Sequence, residues 1–170
     1  MTMTTDIHTA SDLAGDNPNR TMLLRRLAAA RSRYEEELGW PVTIDVRPGR
    51  LLMLTGPVAD VVTMPTALGR LVLSDLRIAM LAGPVVADPT GQWWMFFTEP
   101  ARGSHIDEEL TNELSSLDVT HIPTGTYVVV PTNLDGANTW PWVERPRRNQ
   151  MLPPWPAVVA TTRRNGTKIS

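Results

Sequence analysis

Arg145, Arg147 and Arg148 follow closely on Trp140 and Trp142 and precede Trp155, so cations and flat aromatic rings share one short stretch. Guanidinium groups pair bidentately with phosphate and indole faces stack on unpaired bases, which makes single-stranded nucleic acid the ligand this composition suggests. No acid follows Glu144, whereas Arg163, Arg164 and Lys168 are still to come, and residues 145–170 therefore read as a basic, Pro-rich arm. The candidate contact set is Arg145, Arg147, Arg148, Trp140, Trp142, Arg163 and Arg164. The same residues allow a plainer account, in which the tryptophans pack on a sheet and the arginines solvate a loop or meet an acidic patch on a protein partner. A formal net charge of -2 gives no support to non-specific binding by the whole surface.

Acids and histidines offer less. Asp107, Glu108, Glu109 and Glu113 follow His105 and resemble a metal site, but acids gathered at a helix start are already favoured by the macrodipole. His121 lies on a short strand between Thr120 and Ile122 and reads as structural, as do Ser115 and Ser116 at the end of an acidic helix. His8 sits in the N-terminal stretch. The chain has no cysteine, hence neither disulfides nor thiolate metal ligands. Phosphate-binding glycine loops, zinc-protease helices and serine-hydrolase elbows are missing from the sequence too. No metal and no cofactor are expected.

With 170 residues, of which 42% are hydrophobic, the chain suits one domain with a true core. No apolar run reaches the length of a membrane span and the polar start lacks a secretory apolar stretch, so the expectation is a cytoplasmic protein without membrane contact. Lys168 is the one lysine among 16 basic residues, a bias typical of GC-rich actinobacterial genes.

Residues 1–18 lack periodicity and are expected to be a disordered tail, with the domain proper over 19–144. Asn19 is placed to cap a helix over 20–38 whose Leu23, Leu24, Leu27, Ala30, Tyr34 and Leu38 share one face, and Gly39 to end it. Extended segments over 40–46 and 50–55, parted by Pro48-Gly49, form a hairpin. A strand over 58–64 leads through Pro65 into a helix to about Leu81. Val85–Ala87 and Trp93–Thr98 make a second hairpin across the turn at 88–92. A short acidic helix over 106–117 follows, then a third hairpin from 119–122 and 127–130. The run 157–160 fits strand or helix. Hairpins outnumber alternating βαβ units, which predicts an α+β fold: a compact domain with a mainly antiparallel or mixed sheet and two or three packing helices.

Gly39-Trp40-Pro41-Val42 after a helix, a strand near 61–64 before one, Gly83-Pro84-Val85-Val86, the Trp93–Phe97 strand, Gly125–Pro131 and an aromatic-acid pair at 142–144 occur in an order that resembles the N-terminal domain of bifunctional DNA primase/polymerases. The likeness covers about Leu23–Glu144 and is nearest the short, divergent actinobacterial proteins of that type. It implies a primase-polymerase-like fold and, in active members, metals on a D-x-D pair at a strand end and a histidine in a Gly-Gly-x-His strand. Here the matching strand ends Val61-Val62-Thr63-Met64-Pro65 with only Asp60 nearby, and Trp94 stands at the histidine position. Two clustered carboxylates are what place paired metal ions on a transferred phosphate. The expected function is thus a catalytically degenerate primase-polymerase-like binding or regulatory module, for nucleic acid. A metal-dependent nucleotidyl transferase using relocated Asp60, Asp88 and another acid is the enzymatic alternative, and a protein-protein interaction subunit the other.

Overall fold

The computed structural model describes residues 17–169. Of the expected N-terminal tail, 1–16 lie outside the described residues, while Asn17 and Pro18 already belong to the first helix. α1 (Pro18–Arg33) is capped by the Asn17 side chain, which accepts from Asn19 N, and Pro18 occupies the first turn, where its missing N–H costs nothing. The cap is therefore Asn17 and not Asn19. A π-helical turn (Tyr34–Leu38) continues α1 and stops at Gly39, whose φ of 66° is left-handed.

β1 (Val42–Asp45) and β2 (Arg50–Leu54) form the expected hairpin. β3 (Asp60–Pro65) runs into α2 (Thr66–Ile78), and β4 (Val85–Ala87) pairs with β5 (Trp93–Thr98). Then come α3 (Glu108–Ser116), β6 (Thr120–His121), β7 (Tyr127–Val130), β8 (Trp142–Glu144) and α4 (Trp155–Gly166). Among the described residues two antiparallel sheets result, one of three strands in the order β1-β2-β7 and one of five in the order β6-β3-β5-β4-β8. The fold is α+β.

Over β3 to β6 the chain runs β-α-β-β-α-β with spatial order β6-β3-β5-β4, the split βαβ arrangement of ferredoxin-like sheets. The third hairpin does not form. β6 pairs with β3 in the larger sheet and β7 with β2 in the smaller, because Thr55 holds the 123–126 turn by bonding Pro123 O, Gly125 N and Thr126 N. The expected arm is likewise packed over α4: Trp155, Val158 and Val159 are buried with residues of α2 and α3, since the apolar face of a twelve-residue helix needs cover.

Strand alternation sorts the core into two clusters on either side of the larger sheet. Val62, Met64, Val85, Trp94 and Phe96 meet α2, α3 and α4, while Val61, Val86, Met95 and Phe97 meet α1 and the smaller sheet. β3 lies between β6 and β5 with its apolar side chains fully buried. Trp93 and Trp94 point to opposite faces, Trp93 at 42% exposure and Trp94 at 9%.

Gly69 explains how α2 comes so close. A Cβ there would sit 2.8 Å from Trp94 Cε3, so the indole packs on bare helix backbone. Helix propensity alone would make Gly69→Ala stabilising by about 1 kcal/mol. The contact reverses the sign: the variant should unfold at lower temperature than wild type, and calorimetry showing a rise would contradict this packing. Trp94→Ala should lose about 3–5 kcal/mol and Trp93→Ala far less, measured by urea unfolding.

Candidate functional site

β8 delivers the chain into the loop that carries the expected contact residues. Arg147 N donates to Gln150 Oε1 at 2.9 Å and Gln150 N to Arg147 O at 3.0 Å, closing a turn with Asn149 in the left-handed region at φ 59°. Gln150 Nε2 donates to Ala82 O at 2.9 Å, which ties the loop to the end of α2. Glu144 accepts from Arg77 Nε at 2.9 Å and lies 3.9 Å from Arg147 Nη2. Arg145, Arg147 and Arg148 are all exposed, and among the described residues no carboxylate partners Arg145 or Arg148. Across a cleft of about 280 Å³ from Arg147 stand Glu35, Glu36 and Glu37 of the π-helical turn. The field at the loop is therefore positive at its tip and mixed at its base.

The remaining expected contacts are engaged elsewhere. Trp142 donates its indole N–H to Asn133 O at 3.1 Å, and its ring lies 6.4 Å from that of Phe97. Trp140 packs half-buried on the same core. Trp155, the first residue of α4, is buried against the larger sheet and its helices. Trp155 is thus closed to a base, while Trp140 and Trp142 keep only part of their surface open. Arg163 pairs with Glu113 at 2.8 Å, which raises the guanidinium pKa, and Arg164 reaches Asp75 at 3.4 Å. The hydrogen bond from Asn165, ahead of Arg164, holds the Asp75 carboxyl below its usual range. α4 thus spends its cations on α3 and α2. Of the seven expected contact residues, the structure leaves the three loop arginines available.

Asp60 and His121 are brought together, although 61 positions separate them. β3 and β6 are neighbours only in the folded sheet, and neither residue has a local pattern that announces the pair. Asp60 Oδ2 accepts from Ala101 N at 2.8 Å and lies 3.3 Å from His121 Nε2, while the Trp155 ring meets the imidazole edge-on at 5.4 Å. Asp60 Oδ1 and Trp155 Nε1 are buried with no hydrogen-bond partner among the described residues. One carboxylate beside one imidazole is a structural clamp on the 99–104 segment and β6, not the paired carboxylates of metal-assisted phosphoryl chemistry. Among the described residues no three His, Cys, Asp or Glu side chains gather to hold a metal ion. Asp88 is occupied by its own turn, accepting from Thr90 and from Trp93 N. Trp94, at the expected histidine position, lies under α2.

The larger sheet also differs from nucleic-acid modules that stack bases on an open sheet of this topology. Its second face is covered by Tyr34, Trp40 and the smaller sheet. Among the described residues no helix is long and apolar enough to cross a membrane. Compared with protein-family models, curated proteins and solved structures, the chain gives no match to any of them.

Asp60→Ala should destabilise the fold by about 1–3 kcal/mol, since Ala101 N–H and His121 lose their acceptor. Millimolar manganese should leave the unfolding midpoint of the wild type where it is. A metal-dependent rise that Asp60→Ala removes would restore Asp60 as a ligand.

Proposed function

We propose that this chain is a binding or regulatory module on a primase-polymerase-like architecture that has lost transferase chemistry, and that its ligand is single-stranded nucleic acid held by its phosphates. What carries the proposal is the exposed trio Arg145, Arg147 and Arg148, in which only Arg147 approaches an acid. Guanidinium forks suit phosphate oxygens without reading bases. With Trp140 and Trp142 packed half-buried against the core, the arginines supply the contact, which is to the backbone and indifferent to sequence. Glu144 and the Glu35–Glu37 turn border the loop and hold the affinity down at physiological salt. A protein partner is the second reading, favoured by the apolar side chains exposed beside the loop.

Fluorescence anisotropy with labelled oligo-dT tests the first reading. Changing all three loop arginines to glutamine should weaken binding and flatten the dependence of log K on log salt by about 0.7 per lost contact. Thermal stability should stay close to wild type. A wild-type protein that binds no oligonucleotide at low salt would defeat the proposal, and primer extension with magnesium or manganese would reinstate the transferase.

A further inference from the structure

We infer that β7, the outer strand of the smaller sheet, is the interface for a second copy of this chain, the two β7 strands pairing antiparallel about a two-fold axis. β7 stands at the end of the order β1-β2-β7, so a neighbouring strand holds it on one side only. Thr55 N donates to Thr126 O at 2.9 Å, which sets the phase of the ladder, because bonded pairs alternate along antiparallel strands. With Met53 opposite Val128 and Leu51 opposite Val130, those two valines turn their N–H and C=O groups to β2. Tyr127 and Val129 turn theirs outward, and no hydrogen bond reaches them there from any of the described residues.

Edge strands are ordinarily guarded by charge, by proline or by shortness. The other sheet edges among the described residues obey that rule: β1 carries Asp45, β8 carries Glu144, and β6 is two residues long. β7 is Tyr-Val-Val-Val, strand-forming and uncharged, and no charged residue occurs anywhere in 122–134. Pro131 follows the strand and leaves its outward groups untouched.

What the edge presents specifies its partner. Only an extended backbone matches alternating N–H and C=O groups, and every copy of the chain brings one of the same register. With Val128 on the two-fold axis, Tyr127 stands opposite the partner's Val129, and the pair exchanges both main-chain hydrogen bonds. Val128 and Val130 face the core, so Tyr127 and Val129 lie on the outer face, flanked on β2 by Leu54 and Leu52. The Tyr127 ring, 55% exposed in the single chain, gains an aliphatic neighbour on its second side. Two such strands meet without like charges. Pairing stops at the dimer, because Pro131 has no N–H and its C=O already accepts from Tyr34. So short a ladder makes the association weak.

The interface is separate from the nucleic-acid site, since the loop arginines follow β8 of the larger sheet. Oligo-dT binding should be unchanged by Val129→Pro, and changing the loop arginines to glutamine should leave dimerisation intact.

Sedimentation equilibrium and amide exchange from about 10 μM to about 1 mM protein test the pairing. The dimer fraction should rise with concentration, and the Tyr127 and Val129 amides should exchange more slowly as it does. Those of Val128 and Val130 should be protected throughout by β2. Val129→Pro removes an outward donor and no bond to β2, so the variant should fold and dimerise at least about tenfold more weakly. Val129→Lys, which keeps the main chain as it is and sets like charges near the axis, should weaken the dimer too. A chain that stays monomeric at about 1 mM, a dimer that neither variant weakens, or Tyr127 and Val129 exchange that ignores concentration would overturn the inference. So would slowing of those two amides only on addition of an extended threonine-valine peptide, since the edge would then serve a foreign strand.

Discussion

Everything else in this fold hangs on a column of aromatic rings. Tyr34 stacks on Trp40 at 6.0 Å, Trp40 on Phe97 at 5.1 Å, and Phe97 meets Trp142 at 6.4 Å. The column links the π-helical turn, the centre of the larger sheet and its edge strand β8. Each such contact adds about 0.5–1.5 kcal/mol beyond simple burial. Tyr34 completes the fastening by donating its hydroxyl to Pro131 O at 2.7 Å, next to β7, and burial pushes its phenol pKa far up. One column therefore joins α1, both sheets and β8.

That joint decides where function can lie. Since the column and the smaller sheet close one face of β3, β4 and β5, and three helices close the other, neither face of the larger sheet stays open at these strands. Its strand ends and loops are what is left. At the β8 end, Glu144 is bracketed by Arg77 and Arg147, so the loop arginines and the end of α2 form one continuous surface. The same anchoring that supports the fold commits the indole N–H of Trp142 to Asn133 O and one side of its ring to Phe97.

Local patterns made much of the architecture legible. Gly39 marks the end of the first helix, Pro48-Gly49 a turn, and the Trp93–Phe97 run a strand with alternating burial, because glycine φ freedom and strand pleat act over a few residues. The fate of 119–130 was not legible. Two short strands joined by Pro123-Thr124-Gly125 have the signature of a hairpin, yet Thr55, far away in sequence, captures that turn and sends β7 to the other sheet. The basic segment misled for a similar reason. Its cations stand together in sequence, but α4 turns Arg163 and Arg164 onto Glu113 and Asp75.

The sequence by itself determined the α+β class, the first two hairpins, the buried β3 without paired carboxylates and the excess of arginine near the C-terminus. Those features follow from periodicity, turn chemistry and composition, which are properties of neighbouring residues. Only the tertiary structure decided that Asp60 meets His121, that Trp140 and Trp142 pack half-buried against the core, and that Met80 is held outward in a left-handed cap. Each of these depends on which side chain wins a shared site among groups distant in the chain. Burial and hydrogen-bond satisfaction settle that competition only once all the contenders are in place.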